Sequence, residues 1–244
     1  MHHSAKRPPW WLTAGVAAVV AVTAIGVVMF LRAEANQRRE EAQVELAAVA
    51  THYSREIQAV CERNRLALAL ISSSPRIRAS AERIVRGMAS PEDESLVLER
   101  MAALVRIYRF GHVWLVDPSG RRLLAAGGDE RDSAALRTAV GTAFRTGKAT
   151  MTDLHRPSAD GPPHVDFVAP LAAQEGAAPV AAIVASVSAD EFLYPTIAAW
   201  PGAESTGEAM LLKRLIDGSV LISSPLRLVS DPPLTRSLPA TATS

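Results

Sequence analysis

The chain has 244 residues, and its 26 Lys+Arg nearly balance 25 Asp+Glu for a formal net charge of +1. Hydrophobic residues at 48% and charged residues at 21% exclude a disordered or collagen-like chain, and the single cysteine, Cys61, excludes an intramolecular disulfide framework or a Cys-based zinc finger. The near-neutral balance and scattered arginines give no basic face for nucleic acid, so no nucleic-acid partner is expected.

Residues 1–9 form a short N-terminal segment, read as cytoplasmic. From Trp10 to Leu31 no residue carries a charge. A helix of that length is about 33 Å long, enough for a hydrocarbon core of about 30 Å. Trp10 and Trp11 sit at its start, where indole rings prefer the headgroup region, and Arg32 ends it. Residues 10–32 are therefore read as a transmembrane helix, with the lipid bilayer as a partner. Ala33-Glu34-Ala35 fits a signal-peptidase pattern, but the apolar run exceeds a normal signal core of 7–15 residues. Two Lys/Arg precede the run and three soon follow it, so the charge count alone does not orient it.

Residues 33–71 read as one long stalk helix. Leu46, Val49, Tyr53, Ile57 and Val60 fall on one helical stripe, able to pack on the chain's own domain or on the same helix of a second copy. A homodimer through this stalk is thus an expected arrangement. Cys61, beside the stripe, is read as a small apolar filler. Ser74-Pro75 and Ser90-Pro91-Glu92-Asp93 each open a further helix with a cap, a proline in the first turn and, in the second, acids at the positive end of the dipole.

The period then changes to two. His112–Val116 reads as a strand, Asp117-Pro118-Ser119-Gly120 as a type I turn and Arg121–Ala125 as the return strand. A helix over Ser133–Thr146 stops at Gly147. Lys148–His155 and His164–Leu171 form a second hairpin, and Ala178–Val187 a further strand. Ser188-Ala189-Asp190-Glu191 is a capping box for a short helix. A last hairpin turns on Asp217-Gly218, and residues 228–244, rich in Pro, Ser and Thr, read as a flexible tail. The order predicts an α+β fold: an antiparallel sheet of about five strands with helices on one face.

These features carry a resemblance. The anchor, the long helix, the strand–DPSG–strand hairpin and the antiparallel strands after it are similar to the periplasmic Cache (PAS-like, double-Cache type) sensor regions of bacterial hybrid and sensor histidine kinases and related membrane receptors. The likeness is most specific in Phe192-Leu193-Tyr194-Pro195, followed after four residues by Trp200-Pro201 in an FLYP-x4-WP block, and in the strand hairpin EAMLLKRLIDGSVLISSPLR after it. Residues 72–205 match the sensor domain, and residues 206–227 the start of a second, membrane-proximal module. The resemblance implies an extracytoplasmic, small-ligand-binding domain, single-pass in the bacterial inner membrane, whose occupancy shifts the long helix or its dimer packing. It implies a kinase or similar output domain in full-length relatives. No second apolar run or output domain follows before Ser244, so this chain is expected to be a truncated receptor or a sensor that does not transmit by itself. A membrane-anchored periplasmic interaction module without a small-molecule ligand is the alternative.

The chemistry in the sequence is sparse. Gly127-Gly128-Asp129-Glu130 repeats the signature of diguanylate cyclases, but it joins a strand to a helix inside the sensor region and reads as coincidence. No Walker loop, G-x-S-x-G or H-E-x-x-H occurs, so no enzyme activity and no cofactor are expected. If the second hairpin is symmetrical, His155 faces His164 and Asp153 faces Asp166, all on one sheet face. Asp153, His155 and His164 are then weak metal-ligand candidates, or a grip for an amine, and a polar hairpin end in water is the plainer reading. The pocket is expected between sheet and helices, with Arg109 for a carboxylate, Trp114 and Tyr194 as walls, and Asp166 for an amine, on an organic ligand of open identity.

Overall fold

A computed structural model describes residues 10–128, 133–158, 161–174, 176–199, 208–229 and 231–240, and side chains from residue 22 onward. The chain divides into two compact units, Met1–Ser54 and Arg55–Ser244. A single helix, α1 (Trp10–Ser72), supplies the described part of the first unit and enters the second. Within the first unit, Arg38 pairs with Glu34 at 2.6 Å, one turn away on the solvent side. Among the described residues no helix is long and apolar enough to cross a membrane. Much of the expected span, residues 10–21, lies outside the described side chains.

The second unit is built on a five-stranded antiparallel sheet. Its strands are β1 (His112–Val116), β2 (Arg122–Gly127), β3 (Thr150–Met151), β4 (His164–Ala172) and β5 (Pro179–Ser188), in the spatial order β2-β1-β5-β4-β3. β4 and β5 are inner strands and are buried along almost their whole length. That is why VDFVAPL and AAIVAS read as nearly continuous apolar runs instead of alternating ones.

Helices cover both faces of this sheet, which corrects the expectation of helices on one face. Alternate residues of a strand point to opposite sides. Val113 and Leu115 of β1, Val165, Phe167 and Ala169 of β4, and Ile183 and Ala185 of β5 pack into one core with Ala67 and Leu68 of α1. The same core takes Ile77 and Ala81 of α2 (Pro75–Val85) and Val97, Met101 and Leu104 of α3 (Pro91–Tyr108). Trp114, Val116, Val168, Ala182 and Val184 point the other way, onto Leu136, Ala139, Val140 and Ala143 of α4 (Ala134–Thr146).

Local chemistry fixes the helix ends. Ser90 caps α3 and its reciprocal partner is Asp93, a capping box closed by an acid. Asp93 also ties α3 to α2: Ser80 Oγ donates to Oδ1 at 2.7 Å, and the Arg83 guanidinium grips both oxygens. Arg83, then Ser80 and the Ser90 backbone, hold the Asp93 carboxyl well below the usual carboxylate range. α4 starts at the cap Ser133, whose Oγ accepts from Leu136 N at 3.0 Å, and ends at Gly147 with φ +67°.

Beyond α5 (Ala189–Ala198), a small antiparallel sheet is formed by β6 (Leu212–Arg214), β7 (Val220–Ile222) and β8 (Ser237–Leu238). β8 comes from the stretch read as tail, and it pairs with β7 through Val220 and Leu221.

Candidate functional site

The α2/α3 face of the sheet is filled by apolar side chains. The α4 face is apolar only toward Val116. At its other end three polar residues lie side by side across the strands: His112 of β1 faces Ser186 of β5, which faces Asp166 of β4. Thr152 continues the row, since its N–H donates to the Asp166 carbonyl at 2.8 Å and its Oγ1 accepts from Asp166 N at 2.9 Å.

Asp166 is 2% exposed. A carboxylate so buried needs a cation or several donors close by. His155 Nε2 lies 3.3 Å from Asp166 Oδ2 and 2.9 Å from Ser133 Oγ at the start of α4. The opposite ring nitrogen, Nδ1, faces the Asp153 carbonyl at 3.1 Å. A carbonyl only accepts, so Nδ1 is the donor there, and Nε2 is the nitrogen turned to the Asp166 carboxylate and the Ser133 hydroxyl. His164, also buried, donates from Nδ1 to the Pro162 carbonyl at 2.7 Å.

The other wall is aromatic. The His112 imidazole lies parallel to the Trp114 indole, 3° apart in plane and 5.7 Å between centroids, and it is 6.3 Å from the His164 ring. The Arg122 guanidinium sits 4.2 Å from the Trp114 ring centroid, a cation–π contact. A cleft of about 310 Å³ runs along Trp114, Val116, Arg122, Arg137 and Val140, and one of about 550 Å³ opens beside Thr138, Thr152, His155 and Lys213. Between the aromatic wall and Asp166, Ser186 Oγ is fully buried and has no hydrogen-bond partner among the described residues.

The structure brings Trp114, Asp166, His155 and His164 to one face. Asp153 is not with them. Three residues, Thr152 to Leu154, stand opposite two, Val165 and Asp166, between the pairs Met151↔Phe167 and His155↔His164. This bulge breaks the expected symmetry and turns Asp153 outward, where it accepts from Lys213 Nζ at 2.7 Å. Among the described residues no group of three or more His, Cys, Asp or Glu could hold a metal ion. Arg109 is the exposed, left-handed cap of α3 at φ +57°. Tyr194 belongs to a separate cluster with Leu193, Ile57, Leu154 and Leu211, and its hydroxyl donates to the Ser223 carbonyl at 2.9 Å. Burial, with nearby Asp190, pushes the Tyr194 phenol above its ordinary value. Trp200 and Pro201 lie outside the described residues.

Sequence reasoning missed His112, Ser186, Ser133, Thr152 and Arg122. His112 was accessible through its period-two relation to Trp114, and Ser186 as a polar residue inside the AAIVAS run. The glycines of the GGDE stretch have a packing role. Gly127 has φ +93°, and a Cβ there would stand 2.4 Å from the Gly111 carbonyl oxygen. A Cβ on Gly128 would meet the His112 ring at 2.8 Å. Asp129 and Glu130 lie outside the described residues.

No family profile and no curated protein matches the chain. Solved structures do. The extracellular domain of vpHK1S-Z8, named as a histidine kinase, aligns with TM-score 0.51 at 12% identity, over 71% of this chain and 66% of that one. The sensor domain of the V. cholerae histidine kinase DctB aligns with TM-score 0.44 at 11% identity, over 61% and 56%. The ligand-binding domain of the Pseudomonas fluorescens chemoreceptor CtaA, solved with L-isoleucine, aligns with TM-score 0.41 at 15% identity, over 61% and 57%. The chain spans little more than half the length of the DctB and CtaA structures. Its fold, an antiparallel five-stranded sheet with helices packed on it, is similar to that of the vpHK1S-Z8 extracellular domain.

Proposed function

We propose that this chain is the extracytoplasmic, small-ligand-sensing part of a bacterial membrane receptor of histidine-kinase type, anchored through residues 10–32. In this reading it senses without catalysing, and it takes an organic ligand that brings an amine to Asp166. The observation that carries the proposal is the pairing of two buried groups on adjacent strands. Asp166 is a carboxylate 2% exposed, and Ser186 beside it holds an unmatched hydroxyl. Leaving a buried hydroxyl unmatched costs about 1–3 kcal/mol, so a fold that keeps one there supports a role realised when something else is bound. A ligand ammonium would place its donors between the Asp166 carboxylate and Ser186 Oγ, with Trp114 and His112 as its flat wall.

The mechanism is binding by substitution. Asp166 already leans on His155, so an ammonium competes with the imidazole for the same carboxylate. Apolar walls around the site raise the strength of that contact relative to water. The experiment is a thermal-shift and calorimetric screen of the full chain against primary amines and amino acids. A ligand found this way raises the melting temperature by mass action. Asp166→Asn then weakens its binding by roughly 10–100-fold, the worth of one charge-assisted hydrogen bond. A screen without any binder, or a binder indifferent to Asp166→Asn, overturns the proposal.

A further inference from the structure

We infer that the segment Thr152–Arg156, which carries the bulge, is a relay, coupling the state of Asp166 to the small sheet β6–β8; the inference rests on the Asp166 site proposed above. One short segment touches both places. On the α4 face, His155 sets Nε2 against the Asp166 carboxylate, and Thr152 brackets the Asp166 backbone on both sides. On the other side, Asp153 accepts from Lys213 of β6, and Arg156 Nε donates to the Pro233 carbonyl at 3.1 Å, between β7 and β8. Leu154, in the middle, packs against both the main core and the Tyr194 cluster, which also contains Leu211.

The extra residue matters to this role. A regular ladder spreads a local change over many hydrogen bonds, whereas a bulge leaves one residue without a ladder partner and bends the strand there. His155 Nδ1 returns to the Asp153 carbonyl, so the ring and the residue that reaches Lys213 are linked through a peptide unit. When His155 loses its hold on Asp166, the ring and that peptide lose their anchor together. The ties of Asp153 and Arg156 to the small sheet are the next contacts along the chain. Such linkage is reciprocal: what loosens the small sheet alters the hold on Asp166 by the same free energy.

The test needs no ligand. Amide hydrogen exchange is measured on the full chain and on Asp166→Asn, His155→Leu and Arg156→Met. The reporters are the N–H groups of Leu215, Ile222, Ser223 and Leu234, each bonded within the small sheet or at its border. The references are Asp117 and Gly120, in the turn at the opposite end of the main sheet. Asp166→Asn and His155→Leu are expected to speed the reporters by about tenfold with the references unchanged, a local opening, and Arg156→Met to do the same from the far side. Reporters unchanged in His155→Leu, or reporters and references rising together, overturn the relay. The ligand screen is separate. Selective exchange without any amine binder would refute the sensing proposal and keep the coupling; an Asp166-dependent binder with silent reporters would do the reverse.

Discussion

Removing the Ser186 hydroxyl is expected to make the protein more stable. Ser186 is 0% exposed, and Oγ has no partner among the described residues. Ser186→Ala therefore relieves a desolvation cost of about 1–3 kcal/mol. Against it stands the void left by one oxygen, on the order of 15 Å³, which at about 24 cal/mol per Å³ costs roughly 0.4 kcal/mol. The net is a gain of roughly 1–2 kcal/mol. In a unit of about 150–250 residues each kcal/mol moves the melting temperature by about 2–4 °C, so a rise of roughly 2–8 °C is expected. Ser224 provides the internal control. It too is buried, but its Oγ accepts from Leu211 N at 2.9 Å. Ser224→Ala strands that N–H and should lower stability by about 1–2 kcal/mol. The assay is urea unfolding of both variants, where the midpoint should move in opposite directions with the slope unchanged. A fall in midpoint for Ser186→Ala, matching that for Ser224→Ala, would show the hydroxyl engaged in the free protein and remove the argument for an open site.

Two further substitutions test the scaffold. Gly127→Ala puts a methyl group 2.4 Å from the Gly111 carbonyl oxygen at φ +93°, and should destabilise by about 1–3 kcal/mol or more in thermal unfolding; an unchanged melting temperature would refute the packing account of that glycine pair. Asp93→Asn tests the α2–α3 clasp through pH. The folded carboxyl titrates below its unfolded value of about 3.9, so its contribution is present above that pH and is lost as pH falls through the folded value. The wild type should lose melting temperature steeply below about pH 4, and Asp93→Asn, weaker at neutral pH, should lose much less over the same interval. Parallel profiles would refute the clasp.

Much of the scaffold is readable from local chemistry. The Ser90 box, the Ser133 cap and the Gly147 stop are decided by a few adjacent residues, and so is the Asp117–Gly120 turn, where Gly120 N donates to the Asp117 carbonyl at 2.9 Å. The bridge between His155 and His164 follows from centring the hairpin on its loop. What fails is whatever depends on a count of one residue. The bulge after Thr152 leaves no mark in the alternation of TDLHR, yet it separates Asp153 from Asp166 and hands it to Lys213. The two-faced covering of the sheet is hidden for a different reason. β4 and β5 are apolar at nearly every position, so their pattern states that both sides are buried without stating by which helix.

The same two-sided burial explains why the site sits where it does. On the α2/α3 face, three helices contribute side chains to one continuous core, and the strand residues beneath them are apolar throughout. The α4 face has a single helix, and its contacts come from Leu136, Ala139, Val140 and Ala143, small or medium residues that pack on Trp114, Val116, Val168, Ala182 and Val184. His112, Ser186 and Asp166 lie outside the apolar cluster that α4 makes with the sheet. Polar groups at that end must be matched by the chain's own loops or by a ligand. His155 supplies one such match and Ser186 lacks one among the described residues, and this imbalance is what sets the end of the α4 face apart as the candidate site.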